Sequence, residues 1–168
     1  MGSPLGNLKL ESDNHGLFHL AFTKEKKTSI KDQFLYKAKT QLESYFSGNL
    51  TKFSIKLSLK GTAFEKKVWR YILKHVPHGK HTTYSALAKA IGHPKSYRAV
   101  GNALGKNPIP IIVPCHRVLR ETKKLGGYSS GIQKKKFLLN LEGIRFITSM
   151  PKFQKHSNYR QKNYNKYG

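Results

Sequence analysis

The sequence predicts an α+β fold, in which a small N-terminal unit of sheet and helix precedes a mainly helical C-terminal domain with a helix-turn-helix. Two observations lead to this prediction. Apolar and polar residues alternate in two short runs before residue 60, whereas after residue 61 apolar residues recur at helical spacing between capping and breaking residues. We therefore expect an accessory domain at 1–60, a second domain at 61–148, and a disordered, basic, Tyr-rich tail at 149–168.

The N-terminal domain is predicted from three segments. Residues 18–22 alternate between apolar and other side chains, which is typical of a strand. Residues 30–46 carry apolar side chains at helical spacing, and Gly48 is placed to end that helix. Residues 53–59 alternate again and predict a second, half-buried strand. A short sheet covered by one long helix is the simplest assembly of these segments.

The C-terminal domain is predicted to hold four helices. The first follows a capping box at Thr62–Glu65. The second and third are joined across residues 92–95 and form a candidate helix-turn-helix. The proline-rich segment 107–110 cannot continue a helix, and the last helix runs from about residue 132 to 142. The capping or first residues of the four helices are Thr62, Thr83, Ser96 and Ile132.

The charge of the chain points to a polyanionic partner. Its 168 residues include 32 Lys and Arg but only 8 Asp and Glu, for a formal net charge of +24. Such an excess favours binding to phosphate backbones, with an affinity that falls as salt rises. A lysine-rich surface that only aids solubility is the alternative.

Cysteine content and hydropathy indicate the cellular compartment in which the protein is expected. The chain has one cysteine, too few for an intrachain disulfide or a thiolate zinc site, so we expect a reducing, intracellular compartment such as the cytoplasm, nucleoid or nucleus. No segment approaches the ~20 apolar residues of a membrane span, and we expect no signal peptide. The sequence suggests neither a metal nor a cofactor.

The cysteine itself is the strongest candidate for chemistry. Cys115 lies between Pro114 and His116, and an adjacent imidazole can help a thiol to ionise. Glu142 closes the last predicted helix, where a carboxylate could orient the imidazole and favour its cationic form. Each residue also has an ordinary interpretation: a buried apolar side chain, a surface imidazole and a helix-end charge.

In combination with other motifs, residues 61–143 resemble the O6-alkylguanine-DNA alkyltransferases, also called methylated-DNA–protein-cysteine methyltransferases. The Pro-Cys-His-Arg-Val run at 114–118 is the most diagnostic part of the resemblance. The matching segments are Gly61–Phe64, Thr83–Ser85, Arg98–Gly101, Asn107–Val118, Gly127–Ser129 and Leu141–Gly143.

The resemblance implies a role for each catalytic candidate. Cys115 matches the thiolate that accepts the alkyl group from guanine O6 in one displacement. His116 and Glu142 match a relay that withdraws the thiol proton, with a water molecule between imidazole and thiol. Asn107 matches the residue that holds the active-site turn, and Tyr84 matches a hydroxyl that donates to the departing guanine.

It also implies contacts with the base and with DNA. Val118, through its backbone carbonyl, Tyr128 and Ser129 would bind the extruded base, while Arg117 is expected to be a structural partner. Arg98 matches the arginine that fills the gap left by the flipped nucleotide, with its helix in the minor groove. The other residues expected at double-stranded DNA are Thr83, Lys95, Ser96, Tyr97 and Gly101.

Two positions depart from the family pattern. Tyr97 stands where many relatives have a small residue, which puts the depth of groove insertion in doubt. Ser130 stands where glycine is common, and it could narrow or stiffen the pocket loop. From this we hypothesise that methyl adducts are handled better than bulky ones, and equal rates on methyl- and benzylguanine would contradict that hypothesis.

The predicted function is DNA repair by irreversible, single-turnover transfer of the alkyl group to Cys115, by a monomer. O4-alkylthymine remains a second candidate substrate. Two alternatives stay open: a lesion-binding module without transfer, like the alkyltransferase-like proteins, and a thiol hydrolase that uses Cys115 and His116.

Overall fold

The computed structural model describes residues 1–25, 30 and 32–148. The predicted disorder of the tail at 149–168 lies outside the described residues. In chain order the elements are β1 (Asn7–Asp13), β2 (Gly16–Thr23), α1 (Gln33–Phe46), α2 (Ala63–His75), β3 (Thr82–Thr83), α3 (Tyr84–Ala90), α4 (Tyr97–Gly105), β4 (Val118–Leu119) and α5 (Ile132–Leu141). This arrangement confirms the α+β class.

The N-terminal segment, residues 1–60, begins with an antiparallel hairpin of β1 and β2 that has an irregularity between Glu11 and Ser12. Helix α1 packs on this hairpin. It begins later than predicted because Asp32 caps it, accepting from the backbone amides of Phe34 and Leu35. Gly48 follows the helix end with a φ of 78°, a conformation that favours glycine.

The predicted strand at 53–59 is wrong. Burial alternates only over residues 53–57, and the segment forms a single bridge, between Leu17 and Leu57. Part of its backbone bonding goes to α1 instead, since the Ser54 amide donates to Oε1 of Gln41 at 2.8 Å. At Ser54 a hydrogen bond to a side chain thus replaces a hydrogen bond to a neighbouring strand. The alternation of apolar and polar residues along the sequence cannot reveal such a replacement.

The C-terminal helices follow their predicted caps. Thr62 and Glu65 form the complete capping box at α2, and the Thr83 side chain accepts from the amide of Ala86 at α3. Trp69 of α2 is buried against α4, where its indole donates to the carbonyl of Ala103 at 2.8 Å. Trp69 therefore packs α2 against α4.

Two very short strands position the functional residues. β3 and β4 pair in parallel, Thr82 with Val118 and Thr83 with Leu119. This pairing brings the start of α3 beside the 3-10 turn Cys115–Arg117. Buried apolar side chains from the hairpin, from α1 to α5 and from the segment around Cys115 form one continuous core. Among the described residues, no helix has both the length and the apolar character to cross a membrane.

Candidate active site

Cys115 lies on a buried and tightly held turn. Every residue from Ile109 to Leu119 is buried, and Ile111 within this run has a φ of 76°, which is unusual for a β-branched residue. Asn107 holds the turn through both ends of its amide. Its Nδ2 donates to the Val113 carbonyl at 2.8 Å and to Sγ of Cys115 at 3.0 Å, while its Oδ1 accepts from the Ile109 amide at 2.9 Å.

Behind the cysteine, His116, Arg117 and Glu142 form a buried charge network. Nε2 of His116 lies 2.8 Å from Oε1 of Glu142. Arg117 donates from Nε to Oε2 at 2.7 Å and from Nη2 to Oε1 at 3.0 Å, a bidentate pair, and its Nη1 donates to the Val76 carbonyl at 2.7 Å. Arg117 therefore has the structural contacts that the sequence led us to expect.

The carboxylate of Glu142 stays ionised although it is buried. Burial alone would raise its pKa, but the hydrogen bonds and charges of His116 and Arg117 lower it well below the ordinary value. Glu142 acts on His116 in the expected direction, since its hydrogen bond and charge raise the pKa of the imidazole, but other effects outweigh it. Burial lowers the pKa of His116, and the positive charges of Arg117 and Lys135 oppose the raising effect of Glu142.

The thiol is neutral in the resting protein. Burial raises the pKa of Cys115, and the Asn107 hydrogen bond and the charge of Lys135 offset this only in part. The thiolate that the resemblance implies therefore has to be generated by proton removal. Nδ1 of His116 is buried and has no hydrogen-bond partner among the described residues, so it is open to receive a proton.

A cavity of about 410 Å³ opens over the cysteine. That volume lies within the range of small-ligand sites. Its wall combines the start of α3, one face of α4 and the loop before α5, and Ser129 is exposed at it. The lining residues are Tyr84, Gly101, Leu104, Gly105, Cys115, Gly127, Tyr128 and Ser129.

Two tyrosines, Tyr84 and Tyr128, line this cavity. Burial and the proximity of Cys115 raise the pKa of both Tyr84 and Tyr128, so each hydroxyl keeps its proton at neutral pH. The Tyr128 hydroxyl is buried and unpartnered within the described part of the chain. Tyr84 packs directly on Gly126, where any Cβ would collide with its hydroxyl and ring. The absence of a side chain at Gly126 therefore makes room for the ring and hydroxyl of Tyr84.

Val118 is not among the residues that line the cavity. It is fully buried, and its carbonyl accepts from Nζ of Lys135 at 2.7 Å. A carbonyl oxygen has two lone pairs, so one remains for a second donor. A direct contact between Val118 and a base stays a prediction.

Sequence reasoning missed Lys135. Its side chain is fully buried in α5, and Nζ donates to the Gly127 carbonyl at 3.3 Å in addition to Val118, which ties the pocket loop to the turn after Cys115. Burial lowers the pKa of Lys135 to about 8, while the proximity of Cys115 raises it. Lys135 precedes the buried Leu138 and Leu139 by three and four positions, and this helical spacing was the signal that could have found it.

The helix-turn-helix presents its basic residues to solvent. Lys95, Tyr97 and Arg98 are exposed at the start of α4, with the Arg98 guanidinium 5.9 Å from the centre of the Tyr97 ring. Ser96 is the N-cap residue of α4, although its side chain makes no capping bond. Gly101, one turn after Arg98, lines the cavity, so one helix joins the exposed arginine to the cysteine pocket.

The described residues contain no group of three or more His, Cys, Asp or Glu that could hold a metal ion.

Thr83, which was expected to contact DNA, is half-buried and serves as the cap of α3. The cavity is thus built from a thiol, hydroxyl groups, glycines and one apolar side chain, with the imidazole, carboxylate and guanidinium behind it.

The chain matches two family models. The model described as "6-O-methylguanine DNA methyltransferase, ribonuclease-like domain" matches residues 1–59, and the model described as "6-O-methylguanine DNA methyltransferase, DNA binding domain" matches residues 63–144.

Curated relatives and solved structures agree with these matches. The methylated-DNA–protein-cysteine methyltransferase of Methanosarcina acetivorans is 48% identical over 148 residues, covering 84% of this chain and 94% of the relative. The protein of the same name from Haemophilus influenzae is 40% identical over 153 residues, covering 86% and 85%. The crystal structure of Mycobacterium tuberculosis OGT in complex with DNA superposes with a TM-score of 0.77 at 41% identity, covering 84% of this chain and 89% of that one. With these similarities spanning most of its length, the chain belongs to the 6-O-methylguanine DNA methyltransferase family.

Proposed function

We propose that this protein repairs O6-alkylguanine in duplex DNA by transferring the alkyl group to Cys115 once per molecule. One observation carries the proposal: Cys115 borders a cavity of about 410 Å³, and the His116–Glu142 pair is buried directly behind it. The names of the relatives, which are methylated-DNA–protein-cysteine methyltransferases, support the same activity.

Activation of the thiol follows from its raised pKa. In our proposal the proton leaves Sγ of Cys115, passes through a water molecule and arrives at Nδ1 of His116, the buried nitrogen without a partner. Glu142 holds Nε2 and stabilises the resulting imidazolium. Because Arg117 already pairs with Glu142, the carboxylate orients the ring without itself taking the proton.

The transfer is a single displacement. The sulfur lone pair forms a bond to the alkyl carbon as the bond from that carbon to guanine O6 breaks, and the electron pair of the broken bond stays on the guanine. The Tyr84 hydroxyl, which keeps its proton, donates to the guanine as this negative charge develops. The product is a thioether, a poor leaving group, so each molecule is consumed by one transfer.

We also propose how duplex DNA is engaged. A base in a duplex is inaccessible to a buried thiol and has to be rotated out of the stack. The exposed start of α4 is basic, and this helix also lines the cavity, which supports a role for Arg98 in entering the minor groove as the base leaves. The net charge of +24 supports phosphate contacts over a wider surface. We propose a monomer, since one molecule handles one base, in a compartment that keeps Cys115 reduced.

Replacing Arg98 separates base extrusion from chemistry. We expect Arg98→Ala to slow transfer from bound duplex by about 10- to 100-fold, because unstacking a base costs a few kcal/mol. The rate on free O6-methylguanine should be unchanged, because a free base needs no extrusion. The charge-matched control is Arg70→Ala, on an exposed position of α2, which should weaken binding without slowing transfer once DNA is saturating. Equal slowing by both variants would contradict the role of Arg98.

The activity itself is tested by intact-protein mass. Incubation with a duplex that contains O6-methylguanine should add the mass of one methyl group to the wild type, located on the Cys115 peptide, and none to Cys115→Ala. A catalytic excess of repaired base over protein would contradict single-turnover transfer. Binding of the modified duplex without any mass gain in the wild type would instead favour a lesion-binding module. Turnover of an ester or peptide, abolished by Cys115→Ser, would favour a thiol hydrolase.

A further inference from the structure

We propose that Tyr45, in helix α1 of the N-terminal segment, is a positioning residue for thiol activation: its hydroxyl fixes the Glu142 carboxylate that orients His116. The inference rests on the proposed function. It makes the N-terminal segment a contributor to the active site, whereas the sequence predicted only an accessory domain.

The contact is direct and buried. The Tyr45 hydroxyl donates to Oε1 of Glu142 at 2.7 Å, across 97 positions of the chain, and the Tyr45 side chain is 1% exposed. Oε1 is the same oxygen that Nε2 of His116 approaches at 2.8 Å. Burial, together with the charge of Glu142, raises the pKa of Tyr45, so the phenol acts as a donor at every pH at which the protein functions.

The tyrosine is held rigidly enough to position its partner. Its ring contacts Phe46 and Phe53 with centroid separations of 5.5 and 5.3 Å, and His78 lies edge-on at 6.2 Å. A buried aromatic ring with these neighbours has little rotational freedom, so its hydroxyl offers Oε1 a donor at one place.

A second bond joins the N-terminal segment to the same active-site region. The backbone amide of Leu20 in β2 donates to the Pro108 carbonyl at 2.9 Å, immediately after Asn107. Asn107 in turn donates to Sγ of Cys115. The N-terminal segment therefore contacts two parts of the candidate active site. Leu20 bonds to the turn that Asn107 holds, and Tyr45 bonds to the carboxylate of Glu142.

The hydroxyl has a specific electrostatic consequence. Oε1 accepts from Tyr45, His116 and Nη2 of Arg117, so the three donors share one oxygen. Other groups that influence this network are the Lys135 ammonium and the Tyr128 hydroxyl. Removing the Tyr45 donor leaves Oε1 freer to attract the imidazolium, which raises the pKa of His116, and leaves the carboxylate less well oriented.

The test compares Tyr45→Phe with Tyr36→Phe, a matched change on the same helix at a side chain that is 65% exposed. We expect Tyr45→Phe to lower the rate constant of methyl transfer about tenfold, the scale of one hydrogen bond to a charged group. The acid limb of its pH–rate profile should move to higher pH, and its affinity for DNA should be unchanged. Tyr36→Phe should match the wild type in all three measurements.

Rates are measured per reactive molecule, normalised by the final methyl uptake and well below the thermal midpoint of each variant, so a loss of folded protein does not imitate a slower reaction. In a Glu142→Gln background, Tyr45→Phe should slow transfer no further. The inference is overturned if Tyr45→Phe has the wild-type rate and pH profile, even if its thermal midpoint falls, or if its effect persists in full without Glu142. A wild type that takes up no methyl group would overturn the proposed function instead.

Discussion

Glu142→Gln should reduce the free energy of unfolding by about 3–5 kcal/mol at pH 7, the usual cost of removing one partner from a buried ion pair. The change keeps the size of the side chain but leaves the Arg117 guanidinium, buried and bonded to Val76, without its counter-charge. In either orientation of the new amide, its NH2 group faces a donor that needs an acceptor: Tyr45 and His116 at the Oε1 position, or Nε of Arg117 at the Oε2 position. Urea unfolding of both proteins measures the difference.

The pH dependence of this deficit has a definite sign. The pKa of Glu142 is lowered in the folded protein, so as pH falls below the ordinary glutamate value of about 4.3 the unfolded chain takes up the proton first. The wild type then loses the stability that the carboxylate contributes. The gap between wild type and Glu142→Gln should therefore be largest above about pH 5 and should narrow below pH 4.

Glu43→Gln is the matched control for this substitution. Glu43 pairs with Lys39 at 2.9 Å on the exposed face of α1. Exposed ion pairs of this kind contribute about 0–1 kcal/mol. A loss as small for Glu142→Gln as for Glu43→Gln would show that the buried network does not stabilise the fold.

His116→Gln should slow methyl transfer by about 10²- to 10⁴-fold, the range associated with loss of a general base. The amide of glutamine can still donate toward Glu142, but it cannot take up the proton that leaves Cys115. Burial raises the pKa of the thiol, so the neutral sulfur needs a base to take its proton before it can attack. Rapid-quench measurement of methyl transfer from labelled duplex gives the rate constant.

The final uptake should still approach one methyl group per molecule of His116→Gln, since the acceptor sulfur is intact. His75→Gln provides the control, because His75 is exposed at the end of α2 and stacks on Tyr71. Transfer by His116→Gln at the rate of the wild type would mean that the thiol proton leaves by a route other than the imidazole.

Local sequence was sufficient wherever neighbouring residues decide the structure. The capping box of Thr62 and Glu65 and the Thr83 cap satisfy the first amides of their own helices, so their positions could be predicted within a few residues. The run around Cys115 was likewise informative, because Asn107, Cys115 and His116 lie on one short segment whose prolines exclude a regular helix.

Contacts between distant segments decided the rest. Tyr45 occupies an apolar position of its helix, so the sequence indicates only a packing role. The fold adds a hydrogen bond from its hydroxyl to Glu142. Lys135 stands in a run of three lysines, and only burial against the pocket loop distinguishes it. The protonation of His116 also depends on the fold, because burial and the charges of Arg117 and Lys135 outweigh the carboxylate beside it.

The sequence by itself therefore determined the class of fold, through short-range spacing, and predicted the reactive residues, through the motifs that the chain shares with its family. Only the tertiary structure decided how the buried Cys115 thiol is protonated and which remote side chains contact the groups around it. The physical reason is that solvation and hydrogen bonding of a buried charge depend on every segment packed around it, and sequence spacing does not encode those distances.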